Sequence, residues 1–207
     1  MTKPMWIYFT ASIRMRDKLV GGWPKNPEVE EALLRARGLE DLIPVTKIPE
    51  GAEAQEELKQ QKIEKSWIGF KTNGEGIPIL EARNIKAMLR EGANITKSLL
   101  GEKNLKSKLA ERVFVEPHEI PLPAVSGRGE RVVHAMTMQG PRSSLKLYDY
   151  IDQPTLRFSL RVLNDGVFNE EKLRFILEYC QENGLGADRS QEFGKFDILS
   201  FTSFDPH

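Results

Sequence analysis

The 207-residue chain has little of several things that decide chemistry. It holds one cysteine, Cys180, so it forms no internal disulfide and builds no multi-cysteine zinc or iron–sulfur site. Its three histidines, His118, His134 and His207, stand at no metal-ligand spacing, so neither a metal nor a cofactor is expected. No apolar run approaches the roughly 20 residues that span a bilayer. The opening Met1-Thr2-Lys3-Pro4 leads into a strand-like run without a signal-peptide core, which predicts a cytoplasmic protein with no membrane partner. Net charge is also missing: 30 Lys and Arg balance 30 Asp and Glu, which argues against coating of nucleic acid by bulk charge and leaves room for a local basic face. There is no repeat of fixed period and no low-complexity segment.

What is present describes a folded domain. Hydrophobic residues make up 40% and charged residues 29%, and the length suffices to bury a sizeable core. Residues Met5 to Met15 read as a central strand. A helix capped by Asn26, with Pro27 at its first position and Gly38 beyond its end, comes next. A polar helix is expected over Ala52 to Lys65, within an insertion spanning 39–66. Ser66 to Leu80 reads as a hairpin turning at Asn73 to Gly76. A helix from Ala82 to Gly92 precedes a second one, capped by Asn94 and carrying Ile95, Leu99, Leu105 and Leu109. Strands are expected at 113–115, 132–136, 145–148 and 156–163. The last alternates apolar and polar residues, so one face is buried. Asn169 caps a helix that turns Leu173, Phe175, Ile176, Leu177 and Cys180 inward. A glycine-rich loop and a final strand from Lys195 complete an α+β chain.

Two segments carry chemistry. In the loop Gly184-Leu185-Gly186 to Gly194-Lys195, glycines permit positive φ and close backbone approach, and exposed amides in such a loop cradle anions. Arg189, Ser190 and Lys195 add donors for phosphate oxygens. The plain alternative is a helix-to-strand connection whose glycines only turn the chain. Around Pro78, a strand end runs into a helix on which Arg83, Lys86 and Arg90 form a basic stripe at spacings of three and four. From Arg83 to Arg112 eight basic residues face three acidic ones, an excess of 8 − 3 = 5. Such a run is usually a solvated face. Arg128, Arg131, Arg142 and Lys146 form a second candidate patch. Tyr8, Phe9, Phe158 and Phe196 lie on strands that could present bases with stacking surfaces, although core packing is their default.

Together these segments resemble the RAMP superfamily, the repeat-associated proteins of CRISPR systems. Pro78, Ile85, Lys86 and Arg90 stand where many backbone subunits of that family carry a Pro-Gly-Ser-Ser-Leu-Lys-Gly-x-x-Arg element. Gly184, Gly186, Arg189, Ser190 and Gly194 stand where it carries a glycine-rich loop between its last helix and last strand. The departures are Glu81-Ala82-Arg83-Asn84 in place of small residues, Ala87 in place of glycine, and a loop longer than usual. The resemblance covers about 30 of 207 residues and suggests a divergent relative, encoded by a phage or mobile element. It implies one RAMP-like domain over 1–207, with a ferredoxin-like, RRM-related core and an antiparallel sheet. It also implies binding to single-stranded RNA, or single-stranded DNA, as a homo-oligomer or as a subunit of a ribonucleoprotein.

The residues favour a non-catalytic binder that reads the nucleic-acid backbone through Arg83, Lys86, Arg90, Gly184, Gly186, Arg189, Ser190, Gly194 and Lys195. A metal-independent endoribonuclease on the same fold is the enzymatic rival, although no histidine lies before residue 118 to serve as its base. Asp17 matches the family's loop aspartate in place, but an aspartate flanked by basic residues, here Arg16 and Lys18, is more often a surface ion pair. A phage structural or interaction protein that binds no nucleic acid is the third reading.

Overall fold

The computed structural model describes residues 3–26, 31, 35–36, 65–137 and 140–205. Its strands are β1 (Trp6–Met15), β2 (Lys18–Val20), β3 (Trp23–Pro24), β4 (Lys65–Gly69), β5 (Lys71–Thr72) and β6 (Pro78–Glu81). Helices α1 (Ala82–Thr96) and α2 (Leu105–Arg112) follow, then β7 (Val113–Glu116), β8 (Glu119–Pro121), β9 (Gly127–Thr137), β10 (Gly140–Asp152) and β11 (Thr155–Leu163). Helix α3 (Glu170–Asn183) and β12 (Phe196–Phe204) end the chain. The mixed α+β class expected from the sequence is observed. Among the described residues no helix is long and apolar enough to cross a membrane. The helix expected over Ala52 to Lys65 and most of the one beginning at Asn26 fall outside the described residues.

The chain divides into two compact units. The first comprises residues 1–20, 71–125 and 151–207. Its main sheet has the order β12-β1-β11-β7, and every neighbouring pair is antiparallel. Strand β1 sits centrally because its alternate residues Phe9, Ala11, Ile13 and Met15 are all apolar and buried. Leu156, Phe158, Leu160 and Val162 of β11 point to the same side, as does Phe201 of β12. On that side α1 packs on α3, and α3 packs on β12. Phe9, Phe158 and Phe196 are therefore core residues, as their default predicts, each buried. A three-stranded sheet, β5-β6-β8, completes this unit.

Helix α1 continues through Asn94 to Thr96 rather than stopping at Gly92. Gly92 is a contact residue: a Cβ there would lie 2.6 Å from the Sγ of Cys180 on α3, so glycine allows the two helices to approach closely. The break falls later, where Gly101 takes φ +65° and Asn104 opens α2 from the left-handed region. Leu105 and Leu109 are buried as expected, whereas Leu99 is 74% exposed in the connection. On α3 the Asn169 side chain caps the helix by accepting from the Lys172 N–H at 2.9 Å, and Glu170 and Glu171 occupy its first turn. Leu173, Ile176, Leu177 and Cys180 face inward as read from the sequence. Phe175 does not: it breaks that three-and-four spacing and is 37% exposed. Burial pushes the Cys180 thiol up to about 12, and the nearby Glu91 carboxylate adds to the shift, so the group is an inert core residue.

Strand β12 ends the main sheet, and α3 occupies part of its backbone. An Arg174 Nη2 donates to the Phe201 carbonyl at 2.7 Å, and the Gln181 Oε1 accepts from the Ile198 N–H at 2.9 Å. Glu102, in the α1–α2 connection, accepts from Lys108 at 2.8 Å and Lys172 at 2.7 Å, which holds its carboxyl near 2 against an ordinary 4.5. A depressed folded-state value means that its contribution to stability is fully present above pH 4.5 and is lost as pH falls toward 2. Carbon-detected NMR titration is expected to place Glu102 near 2 and to show it rising in Lys172→Met.

The second unit comprises residues 21–70 and 126–150. Strands β9 and β10 form a long antiparallel ribbon, β10 pairs with β4 in parallel, and β4 pairs antiparallel with β3. The hairpin expected over Ser66 to Leu80 is therefore narrower. Its turn lies at residues 73–76 as read, but its strands are β5 and β6, while Trp67 belongs to β4 in the other unit.

Candidate nucleic-acid interface

Glu81 occupies the N-cap position of α1 with extended backbone, and the helix presents Arg83 and Arg90 to solvent. Arg83 pairs with Glu81, which Lys71 also contacts at 3.2 Å. Burial opposes ionisation of Glu81, yet the two cations outweigh it and keep the carboxyl below its ordinary range. Lys86 departs from the stripe. Its Nζ donates to the carbonyl oxygens of Ala110, at 2.8 Å, and Val113, and lies 4.7 Å from the centre of the Phe114 ring. Burial, then the nearby Arg90 charge, lowers its pKa. Lys86 thus joins α1 to the end of α2 and the start of β7. Lys86→Met is expected to lower the unfolding free energy by about 1 to 3 kcal/mol, read from urea denaturation.

The basic run downstream is also uneven. Lys97, Lys103 and Lys106 are exposed. Lys108 is paired with Glu102, and Arg112 with Asp165 and Glu111, each at 2.7–2.8 Å. The exposed cations of this side are therefore Arg83, Arg90, Lys97, Lys103 and Lys106.

The glycine-rich loop takes the conformation its glycines allow: Gly184, Gly186 and Gly194 have φ of +80°, +92° and +78°. Several of its amides are consumed in holding that shape. The Gly184 N–H donates to Cys180, Leu185 to Gly194, Ala187 to Val20 and Gly194 to Lys18. Arg189 donates to Glu91 of α1 at 2.7 Å, so the loop and the helix that the sequence singled out separately are brought together. Lys195 pairs with Glu192 and lies 3.8 Å from Glu182; the bond to Glu192 raises its pKa. Ser190 is exposed. Beside the loop lies an open groove of about 620 Å³ whose lining includes Arg189, Ser190 and the carboxylates of Glu91, Glu182, Asp188 and Glu192. That groove is more acidic than a preformed phosphate cup would be. Among the described residues no cluster of His, Cys, Asp or Glu could hold a metal ion.

No protein-family model matches the chain, and no curated protein is similar to it at a significant level. Solved structures do match. One is a chain of the Type III-B Cmr-beta bound to cognate target RNA, at a TM-score of 0.56 and 14% identity. The likeness is one of fold. It covers 97% of this chain and 61% of the other, so this chain spans less than two thirds of the length of the chain it matches.

In the second unit, Arg128 of the further patch donates to Asp149 at 3.0 Å, and its guanidinium lies 4.0 Å from the centre of the Trp67 ring. Arg131 and Lys146 are cross-strand partners on the β9–β10 ribbon, and Arg142 sits opposite Ala135. Sequence reading missed a further group on the main sheet of the first unit. Trp6, Phe114 and Arg161 cluster there, with the guanidinium 5.0 Å and 5.4 Å from the two ring centres. Alternation along β1 and β11 marks Trp6 and Arg161 as facing away from the core, but only the strand pairing brings Phe114 beside them.

Proposed function

We propose that the chain is a RAMP-type module that binds the backbone of single-stranded RNA without cutting it, as a subunit of a ribonucleoprotein. The observation that carries this reading is the antiparallel order β12-β1-β11-β7 with α1 and α3 on one face. Strand, helix, two strands, helix and strand is the order a ferredoxin-like core would use, so it supports the core that the RAMP resemblance implies. The fold match to an RNA-bound complex supports it.

Phosphates are met first by the exposed cations of α1 and its continuation, Arg83 and Arg90 above all. Arg83, Arg189 and Lys195 are ion-paired and meet a phosphate by exchanging a carboxylate for it, while Lys86, Gly184, Gly186 and Gly194 hold the helix and loop in position. Ser190 adds an exposed hydroxyl to the loop. Copies of the chain line one strand side by side, so the number bound rises with the length of the RNA.

The test is fluorescence anisotropy with single-stranded RNA and DNA probes of several lengths. Arg83→Glu combined with Arg90→Glu is expected to weaken RNA binding at least about tenfold and to reduce the salt slope by about 1.4, from two phosphate contacts at about 0.7 each. Wild-type protein that binds neither probe at low salt, or a charge-reversed variant that binds as tightly as wild type, overturns the reading.

A further inference from the structure

The main sheet has two faces of different chemistry. One holds the core side chains and the helices. The register places Phe114, Arg161, Tyr8 and Phe204 in a single row on the other, crossing all four strands from β7 to β12. Trp6 leans into the same row, its ring centre 5.7 Å from that of Phe114 in an edge-on contact. Tyr8 and Phe204 make a second pair at 5.8 Å. None of these rings belongs to the core: Trp6, Tyr8 and Phe114 are half-buried and Phe204 is 40% exposed.

We infer that this face is a stacking platform for the bases of single-stranded RNA. The inference rests on the RNA-binding reading above and adds a contact to the base where that reading has contacts only to the backbone. Three features select bases over an apolar protein partner. Rings at the two ends of the row flank a guanidinium, an arrangement whose faces accept a planar base by stacking and by cation–π attraction. The next positions along the strands are hydroxyls, Thr10, Ser159 and Thr202, which donate and accept hydrogen bonds and would be left unsatisfied beneath an apolar helix. The charge of the face is also suited to a polyanion. Arg14 and Arg157 are exposed on it, while its carboxylates, Glu116 and Asp197, are engaged by Arg161 and Arg16. Neighbouring strands lie about 4.8 Å apart, so the row is about 14 Å long. That length accommodates two or three bases splayed across a sheet.

The experiment compares a short uridine-rich RNA with an abasic ribose-phosphate strand of the same length. Tyr8→Leu combined with Phe204→Leu keeps apolar volume and removes the aromatic faces. This variant is expected to lose at least about tenfold in affinity for the base-bearing strand and nothing for the abasic one. Arg83→Glu with Arg90→Glu weakens both. Unchanged affinity of the leucine variant for the uridine-rich strand overturns the platform while leaving backbone binding intact. Wild-type protein that binds neither strand removes both readings. Photocrosslinking of wild-type protein to the same RNA carrying 5-iodouridine gives an answer independent of the variant's folding. Adducts on Trp6, Tyr8, Phe114 or Phe204 support the platform, and adducts confined to other segments overturn it.

Discussion

Gly194→Ala is expected to destabilise the chain by about 3 to 5 kcal/mol, whereas Gly166→Ala costs about 1 to 2 kcal/mol. The two glycines share the same backbone requirement, φ of +78° and +82°. They differ in what surrounds them. A Cβ on Gly166 meets nothing within 4 Å, so alanine there pays only the left-handed conformation. A Cβ on Gly194 would lie 1.9 Å from the Leu185 carbonyl oxygen, a backbone atom that cannot step aside without opening the loop. Opening it breaks the bond from the Leu185 N–H to Gly194, and the bond from the Gly194 N–H to Lys18, both 2.9 Å. Urea midpoints at unchanged m-value measure the difference between the two variants. Equal losses would show that the loop is held by conformation alone and not by its packing.

The second large effect separates two phenylalanines three residues apart. Phe201→Ala is expected to cost about 3 to 5 kcal/mol, and Phe204→Ala less than about 1 kcal/mol. Phe201 is buried and stacks on Phe9, ring centres 5.4 Å apart and planes 10° from parallel, with the Arg174 guanidinium 5.7 Å from its centre. Its removal leaves a cavity at the middle of the sheet's covered side. Phe204 points to the opposite side, so its loss exposes no core. Thermal or urea unfolding of the two single variants suffices. A cost for Phe204→Ala approaching that for Phe201→Ala would mean that the second face is also core.

How far the sequence foretold this arrangement depends on the range of the interaction involved. Where a signal is local it was legible. The period-two pattern from Leu156 to Val162 marked β11, Asn169 marked the start of α3, and Asn73 to Gly76 marked a turn. Gly184, Gly186 and Gly194 were read as positions of positive φ, and they are. Much of what failed depended on partners distant in the chain. Gly92 looks like a helix end until Cys180 is placed against it. Trp67 looks like half of the hairpin with Ile77 to Leu80 until β4 pairs with β10, some 80 residues later. Periodicity put Lys86 on a basic stripe with Arg83 and Arg90, but a four-carbon stem at the border of two faces reaches either way. The carbonyls of Ala110 and Val113, where α2 gives way to β7, accept from it and draw it inward. The acidic setting of Arg189 has the same origin, because Glu91 comes from α1, whereas Lys195 pairs with Glu192 of its own loop, a partner three residues away.

The side chains that α3 lends to β12 have a consequence for assembly. A sheet grows by recruiting another backbone to its last strand, and growth of that kind has no natural stopping point. Here the Phe201 carbonyl and the Ile198 N–H are already satisfied by Arg174 and Gln181. An incoming strand would have to displace both before gaining a hydrogen bond at either position. Pairing of a further strand along this edge is therefore disfavoured at the two positions that α3 already occupies.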